Sequence, residues 1–494
     1  MGVSQTERAD QVLRQYGYQP EFGRTLRRFA SFAIGFSFIS ITTGIFTTYG
    51  FVLSKSGPLG IWTWPIVIVG QTLVALVFGA LAARMPLAGY SYQWMSRLAN
   101  PKIGWLLGWF AFTFLIIDVV AVDYAVASTV LPAIFNASWT TNQIWLACGV
   151  VILLQGLLIA RSTLWTARVN SIAVGTEVVG ILGLFVLLLL VGAIAGSLHP
   201  DHLFSTGTVS SNGWFGLGGL TSDSPFVFAF LLGSFTIVGF EAAANLAEET
   251  HDSENAVPAA MWQSVVISGV IGFLFLIALN LASGDLKALT ASSTPVADIV
   301  TSTLGGFIGR LFLIFVTFSI FACGLVIFLT VVRLVWAMSR DERFPGHGVF
   351  RRVHTGMRTP VMATLLCGVL IEAVLAVFAN QTSTLFNLFS AATLMPAIIY
   401  LATVFLYAAA RPRLPASMGF TLGRWEGPVI IVSVIWLLWE LSIFRDSSFG
   451  LPWLYVVVMV AIGLVYFAWL LLARPATLRT TGQASDKEIE RVPR

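Results

Sequence analysis

The chain has 494 residues, of which 57% are hydrophobic and only 11% charged, against roughly 25% charged in an ordinary soluble protein. Its 28 Lys and Arg and 24 Asp and Glu are too few to coat a soluble fold of this length. That excludes a soluble enzyme, a nucleic-acid binder and a secreted disulfide scaffold, and makes the lipid bilayer the first expected partner.

A bilayer core about 30 Å thick needs about 20 helical residues per crossing. The N-terminal stretch, Met1 to Arg28, is polar and lacks the apolar core and small-residue cleavage site of a signal peptide, so the first hydrophobic run reads as an uncleaved span. Continuous apolar runs then predict twelve transmembrane helices, at about 29–54, 59–83, 103–134, 142–160, 170–194, 224–247, 261–282, 306–338, 360–379, 384–408, 428–444 and 451–472. The expected fold class is therefore an all-α polytopic membrane protein. Residues 1–28 and 473–494 read as cytoplasmic tails, and 195–223, Gly/Ser-rich with His199 and His202, as an external loop capping the outer face. Cys148, Cys323 and Cys367 lie in apolar runs without ligand spacing, so neither a disulfide nor a metal site is expected.

Charge sorts with this count. With the N-terminus inside, 24 of the 28 basic residues fall on the cytoplasmic side, leaving only Lys55, Lys287, Arg310 and Arg445 outside. Positive residues resist translocation, which predicts twelve spans with both termini cytoplasmic in a multi-pass plasma-membrane protein.

Two stretches five spans apart are interrupted by small residues. The first span reads GFSFISITTGIFTTYG from Gly35 to Gly50, the sixth GSFTIVGFEAAANLAEET from Gly233 to Thr250. An offset of five spans orients the two oppositely, as an inverted repeat requires. Interrupted backbone within a bilayer is tolerated where it lines a cavity, and half-helix ends bind ions there. The same glycines also suit close helix packing.

Three further motifs accompany these breaks. ARMPLAGYSYQWMSRLANPKIGWLLGWF follows the second span, GFEAAANLAEETHDSENAVPAAM the sixth, and RLVWAMSRDERFPG ends the eighth. With ITTGIFTTYG, the set resembles the amino acid–polyamine–organocation superfamily over about 24–472, most of all its amino acid/choline transporter branch, which includes γ-aminobutyrate permeases. The resemblance implies a leucine-transporter-type fold, with residues 29–194 and 224–408 as two inverted five-helix repeats and 409–472 as two peripheral helices. It implies secondary transport of an amino acid or amine by alternating access, without a cofactor. It also implies that the unwound segment Thr42, Thr43, Gly44 and Ile45 offers backbone N–H groups to a substrate carboxylate. Gly239, Phe240 and Glu241 would receive the amino group, with Phe240 a lid. One departure stands at Ala80, where relatives often carry an acid.

Carboxylates at bilayer depth cost about 2.5–3.5 kcal/mol each and so need reasons. Glu177, beside the broken first span, is the proton-coupling candidate, or else a structural link. Asp118 near the centre of span three is a candidate for the substrate amine. Asp123 lies about 140° further round the helix and reads as a gate or structural pair. Glu248 and Glu249 are gate candidates whose expected partners are Arg residues of other inner loops; Glu372 and Glu440 receive no role. No His or carboxylate cluster suits catalysis, and no GxxxxGK[ST] phosphate loop is present, so an ATP-driven pump or an enzyme is not expected. Proton symport is favoured. Exchange, sodium symport with Thr317 and Ser319 as oxygen ligands, and a non-transporting sensor on the same fold stay open.

Overall fold

A computed structural model of the chain describes residues 24–378 and 384–479, apart from positions 415 and 418, together with Arg14. The expected tails lie largely outside the described residues. The molecule is all-helical. Among the described residues, eleven helical stretches are long and apolar enough to cross a membrane.

The first is divided into α1 (Arg28–Ile39) and α2 (Ile41–Ser56), followed by α3 (Trp64–Arg84) and the short link helix α4 (Tyr90–Leu98). Next come α5 (Pro101–Ala125), α6 (Thr141–Arg161) and α7 (Thr163–Ala195). The sixth predicted span is not one continuous helix. It consists of α8 (Pro225–Thr236), the short α9 (Ala242–Asn245) and a 3₁₀ turn over Ala247–Glu249, which is why eleven long stretches stand where twelve spans are predicted. The chain continues through α10 (Ser253–Ala282), the short α11 (Pro295–Leu304), α12 (Gly306–Arg340), α13 (Val361–Phe378), α14 (Thr384–Ala410), α15 (Glu426–Ser442) and α16 (Gly450–Ala473).

Polar residues at the loop boundaries start these helices. The Asn100 side chain accepts from the N–H groups of Lys102 and Ile103 ahead of α5, Thr140 and Gln143 form a capping box on α6, and Ser224 accepts from Val227 N–H on α8. Each satisfies donors that a helix start leaves orphaned.

Burial separates a core from a lipid-facing shell. The apolar windows of the first and third stretches are 83% buried within the protein, whereas that of α16 is 17% buried, so α1, α2 and α5 form the centre and α16 lies at the rim. α10 packs across α1 and α3, α2 against α8, and α5 against α12 and α14. Small residues set the approach: a Cβ at Gly70 would lie 2.1 Å from the Trp436 ring, joining α3 to α15, and one at Gly463 would lie 2.2 Å from Trp109. Without a hydrophobic drive between helices in lipid, such close van der Waals contact holds the bundle together.

Candidate functional site

The first span breaks at Ser40, whose φ of 37° and ψ of 88° interrupt the helix. Ser40 then caps α2: its Oγ accepts from Thr43 N–H at 3.3 Å, and its carbonyl accepts from Gly44 N–H at 3.0 Å. Thr42 N–H donates to Glu177 Oε1 at 3.0 Å, with Ser40 Oγ a further donor to that oxygen at 3.4 Å. The expectation of an unwound, bare Thr42–Ile45 is thus corrected. These residues form the first turn of α2, and Glu177 and Ser40 already occupy the N–H groups of Thr42, Thr43 and Gly44, because a helix start draws the nearest acceptors.

The second break lies between α8 and α9, where Gly239 adopts φ +82°. A Cβ there would fall 1.8 Å from Phe38, so the position tolerates glycine on both conformational and steric grounds. Its N–H donates to Tyr400 Oη at 2.8 Å, and Tyr400 in turn donates to Glu241 Oε2 at 2.5 Å. Tyr400, from α14, thus holds the broken segment on both sides of Phe240. The two interrupted spans meet at Gly44, where a Cβ would lie 2.1 Å from Thr236 Oγ1. Gly44 serves packing, Gly239 serves the break.

Between these breaks lies a narrow cavity of about 10 Å³, room for no more than about one water. Its walls are Phe38 and Ile39 from the end of α1, Thr43 and Gly44 from α2, Asp118 and Val122 from α5, Phe235 and Val238 around the second break, and Cys323 and Ile327 from α12. Of the residues singled out in the sequence, Thr43, Gly44 and Asp118 reach this wall. Thr42, Ile45, Gly239, Phe240 and Glu241 do not line it. Phe240 is fully buried with its ring 5.8 Å from Phe78 and 5.2 Å from Tyr400; the aromatic faces of the cavity belong to Phe38 and Phe235 instead.

Asp118 is 3% exposed, and its carboxylate has no hydrogen-bond partner among the described residues. Asp123 is different. Its Oδ1 accepts from Gln155 Nε2 of α6 at 2.8 Å, and a side chain at Gly324 would strike both groups. The two acids therefore face different neighbours, as five residues of helix dictate. Cys323 Sγ donates to the Phe38 carbonyl at 3.4 Å, covering an acceptor that the end of α1 leaves open.

At the end of the site where the eighth span finishes, Glu248 accepts from both guanidinium nitrogens of Arg340, at 3.2 and 3.3 Å, and from Ala88 N–H at 3.0 Å. Glu249 pairs with Arg333 at 2.9 Å. All four side chains are at most 5% exposed. The partners are not loop residues, as expected, but lie within α12, seven residues and so about two turns apart on one face. Residues ahead of α1 join this cluster: Thr25 and Leu26 N–H donate to the Glu249 carbonyl at 3.0 and 2.9 Å, and His251 N–H donates back to the Leu26 carbonyl at 2.9 Å.

The profile of the amino acid permease family matches residues 26–472, which includes both breaks, the cavity and this ion-pair cluster. The chain belongs to the amino acid permease family. It is thus a membrane transporter of the amino acid–polyamine–organocation superfamily and not an enzyme. Among curated proteins, the permease is similar to the amino-acid permease BAT1 of Arabidopsis thaliana, at 25% identity over 86% of each chain. It is also similar to the BAT1 homolog of Oryza sativa subsp. japonica, at 27% identity over 94% of this chain and 93% of that one. A third relative is the low-affinity putrescine importer PlaP of Escherichia coli, at 26% identity over 70% of this chain and 74% of that one.

Several permease residues at the site escape a reading of the sequence. Val122 and Ile327 carried a signal, since each stands four residues beyond another lining residue, Asp118 or Cys323, on the same helical face. Ser40 and Tyr400 carried none. A serine in an apolar run and a tyrosine in a distant helix become visible only once packing brings them to the breaks. Glu440, left without a role, accepts from Gln71 Nε2 at 2.9 and 3.1 Å, a buried link between α15 and α3.

Proposed function

We propose that the permease imports an amino acid or a related amine-bearing solute across the plasma membrane by alternating access, coupled to protons. In this reading, residues 29–194 and 224–408 are inverted repeats, 409–472 form two peripheral helices, and both termini are cytoplasmic. Two features support the repeat. Each break follows a half-helix of 12 residues, α1 and α8. The short helices α4 and α11 also hold corresponding places, between the second and third spans of each half.

One observation carries the functional reading: Thr42 N–H donates to Glu177 beside the cavity that Asp118 faces. The start of a half-helix favours a carboxylate, and here that carboxylate is the protein's own, Glu177. Hydrogen bonds to an ionised acceptor are roughly twice as strong as those to a neutral one. Protonation of Glu177 therefore loosens its hold on Thr42 and frees the N–H for a substrate carboxylate, while the unpartnered Asp118 receives the substrate ammonium. Loss of the proton on the other side restores the Glu177 contact and expels the substrate. An amine is common to the amino acids and putrescine carried by the permease's relatives, which suits a site whose unpartnered side chain, Asp118, is acidic. Opening toward the cytoplasm then requires the Glu248–Arg340 and Glu249–Arg333 pairs to separate, making them the inner gate, with Asp123–Gln155 a fixed strut.

Uptake of labelled amino acids and polyamines into proteoliposomes tests this reading. An imposed pH gradient should drive saturable accumulation in sodium-free buffer. Accumulation only with sodium would make the protein a sodium symporter, flux only against internal substrate an exchanger, and binding without flux a sensor.

A further inference from the structure

We propose that His199, Asp201 and His202, on the turn between α7 and α8, form a binding site for a first-row divalent cation, with zinc the reference ion. The turn is a single 3₁₀ helix, Pro200–Leu203, and one donor atom from each of the three side chains lies within 4.8 Å of the others. His202 Nε2 and Asp201 Oδ2 are 3.8 Å apart. That is too long for a hydrogen bond and only a few tenths of an ångström beyond the separation of about 3.3–3.6 Å that two donors take around one tetrahedral zinc with bonds of about 2.0–2.2 Å. The two imidazoles stand side by side, 18° from parallel with centroids 4.8 Å apart, so both can turn a nitrogen to one ion.

The hydrogen-bond network selects the tautomer this requires. Ser283 Oγ donates to the Asn280 carbonyl at 2.6 Å, which uses its only proton. At 2.8 Å from the same oxygen, His202 Nδ1 must then be the donor, leaving the lone pair on Nε2, the atom that faces Asp201. An outer hydrogen bond of this kind is how metal-ligating histidines are oriented. The backbone is anchored too: His199 N–H donates to the Leu281 carbonyl at the end of α10 at 2.8 Å, and His202 N–H to the His199 carbonyl at 3.1 Å. Three protein donors leave a fourth position for water.

The ion has a mechanical lever on transport. Just beyond the turn, the Leu203 carbonyl accepts from Trp62 Nε1 at 2.8 Å, and the Ser205 carbonyl from Leu59 N–H at 2.9 Å. Residues 57–63 follow directly on α2, so a metal stiffening this turn also stiffens the far end of the half-helix at the substrate site.

The test is zinc binding to purified full-length protein, read by competition with a chromogenic chelator. Wild type is expected to take up zinc saturably, one per chain at this site. The double variant His199→Ala/His202→Ala should lose that uptake, and Ser283→Ala should weaken it about tenfold or more. As a check needing no variant, zinc should protect His199 and His202 of the wild-type chain from acylation by diethylpyrocarbonate, read by mass spectrometry. No saturable zinc on wild type, undiminished affinity in the double variant, or equal acylation of both histidines with and without zinc would each overturn the proposal.

Discussion

Thr42 N–H and the Glu177 carboxylate meet across 3.0 Å, so a side chain of α7 closes the open end of a half-helix in a different span. The contact joins two properties that transport needs in one place: a backbone donor suited to a substrate carboxylate, and a group able to carry a proton.

Glu177→Gln separates these properties. The amide oxygen still accepts from Thr42 N–H, but the side chain no longer takes up and releases a proton. Accumulation driven by a pH gradient should disappear in proteoliposomes while counterflow exchange continues. Accumulation at the wild-type rate would place the coupling group elsewhere.

The two acids of α5 should respond differently to the same change. Asp118→Asn removes the charge facing the cavity, and loss of a charge-assisted hydrogen bond of about 1.5–3 kcal/mol should raise KM for amine-bearing substrates about 10- to 100-fold. Asp123→Asn keeps a side-chain oxygen for Gln155 and should change KM little. Equal kinetic effects of the two substitutions would remove Asp118 from the substrate site.

Gly239→Ala tests the second break. A left-handed φ costs a side-chain-bearing residue about 1–2 kcal/mol, and the clash with Phe38 adds an overpacking cost of about 1–3 kcal/mol. The unfolding temperature should fall and substrate binding weaken together. A variant with unchanged Tm and KM would show that the break does not depend on glycine.

Arg340→Ala leaves Glu248 buried with only Ala88 N–H to satisfy it. Breaking a buried pair costs about 3–5 kcal/mol, and that cost falls on the state in which the pair is closed. The population should shift toward an inward-open form, and the native thiol of Cys323 in the cavity wall reports it. In a background lacking Cys148 and Cys367, Cys323 should react faster with a polar thiol reagent added from the cytoplasmic side. A labelling rate equal to that of the parent would argue that the pair is structural and not a gate.

Membrane residence, the order of the apolar stretches and the two weak points among them were legible in the amino-acid sequence. The reason is that hydropathy and glycine content act locally, over the 20 or so residues of one span. The glycine at 239 was visible in the same way, since a positive φ is a property of one residue and its neighbours. Other features depended on partners far along the chain. The first break fell at Ser40 and not within 42–45, because Ser40 could cap α2 with its own hydroxyl. Phe240 packed into the Phe78 and Tyr400 rings, away from the cavity wall. Glu248 and Glu249 found their arginines within α12. Glu177 reached Thr42 across 135 positions. Such pairings follow from which helices pack together and at what rotation, and in a bundle whose spans are all apolar the periodicity of any one helix does not record its neighbours. Composition thus settled which solvent surrounds this chain, and the packing of its helices settled which polar groups meet inside it.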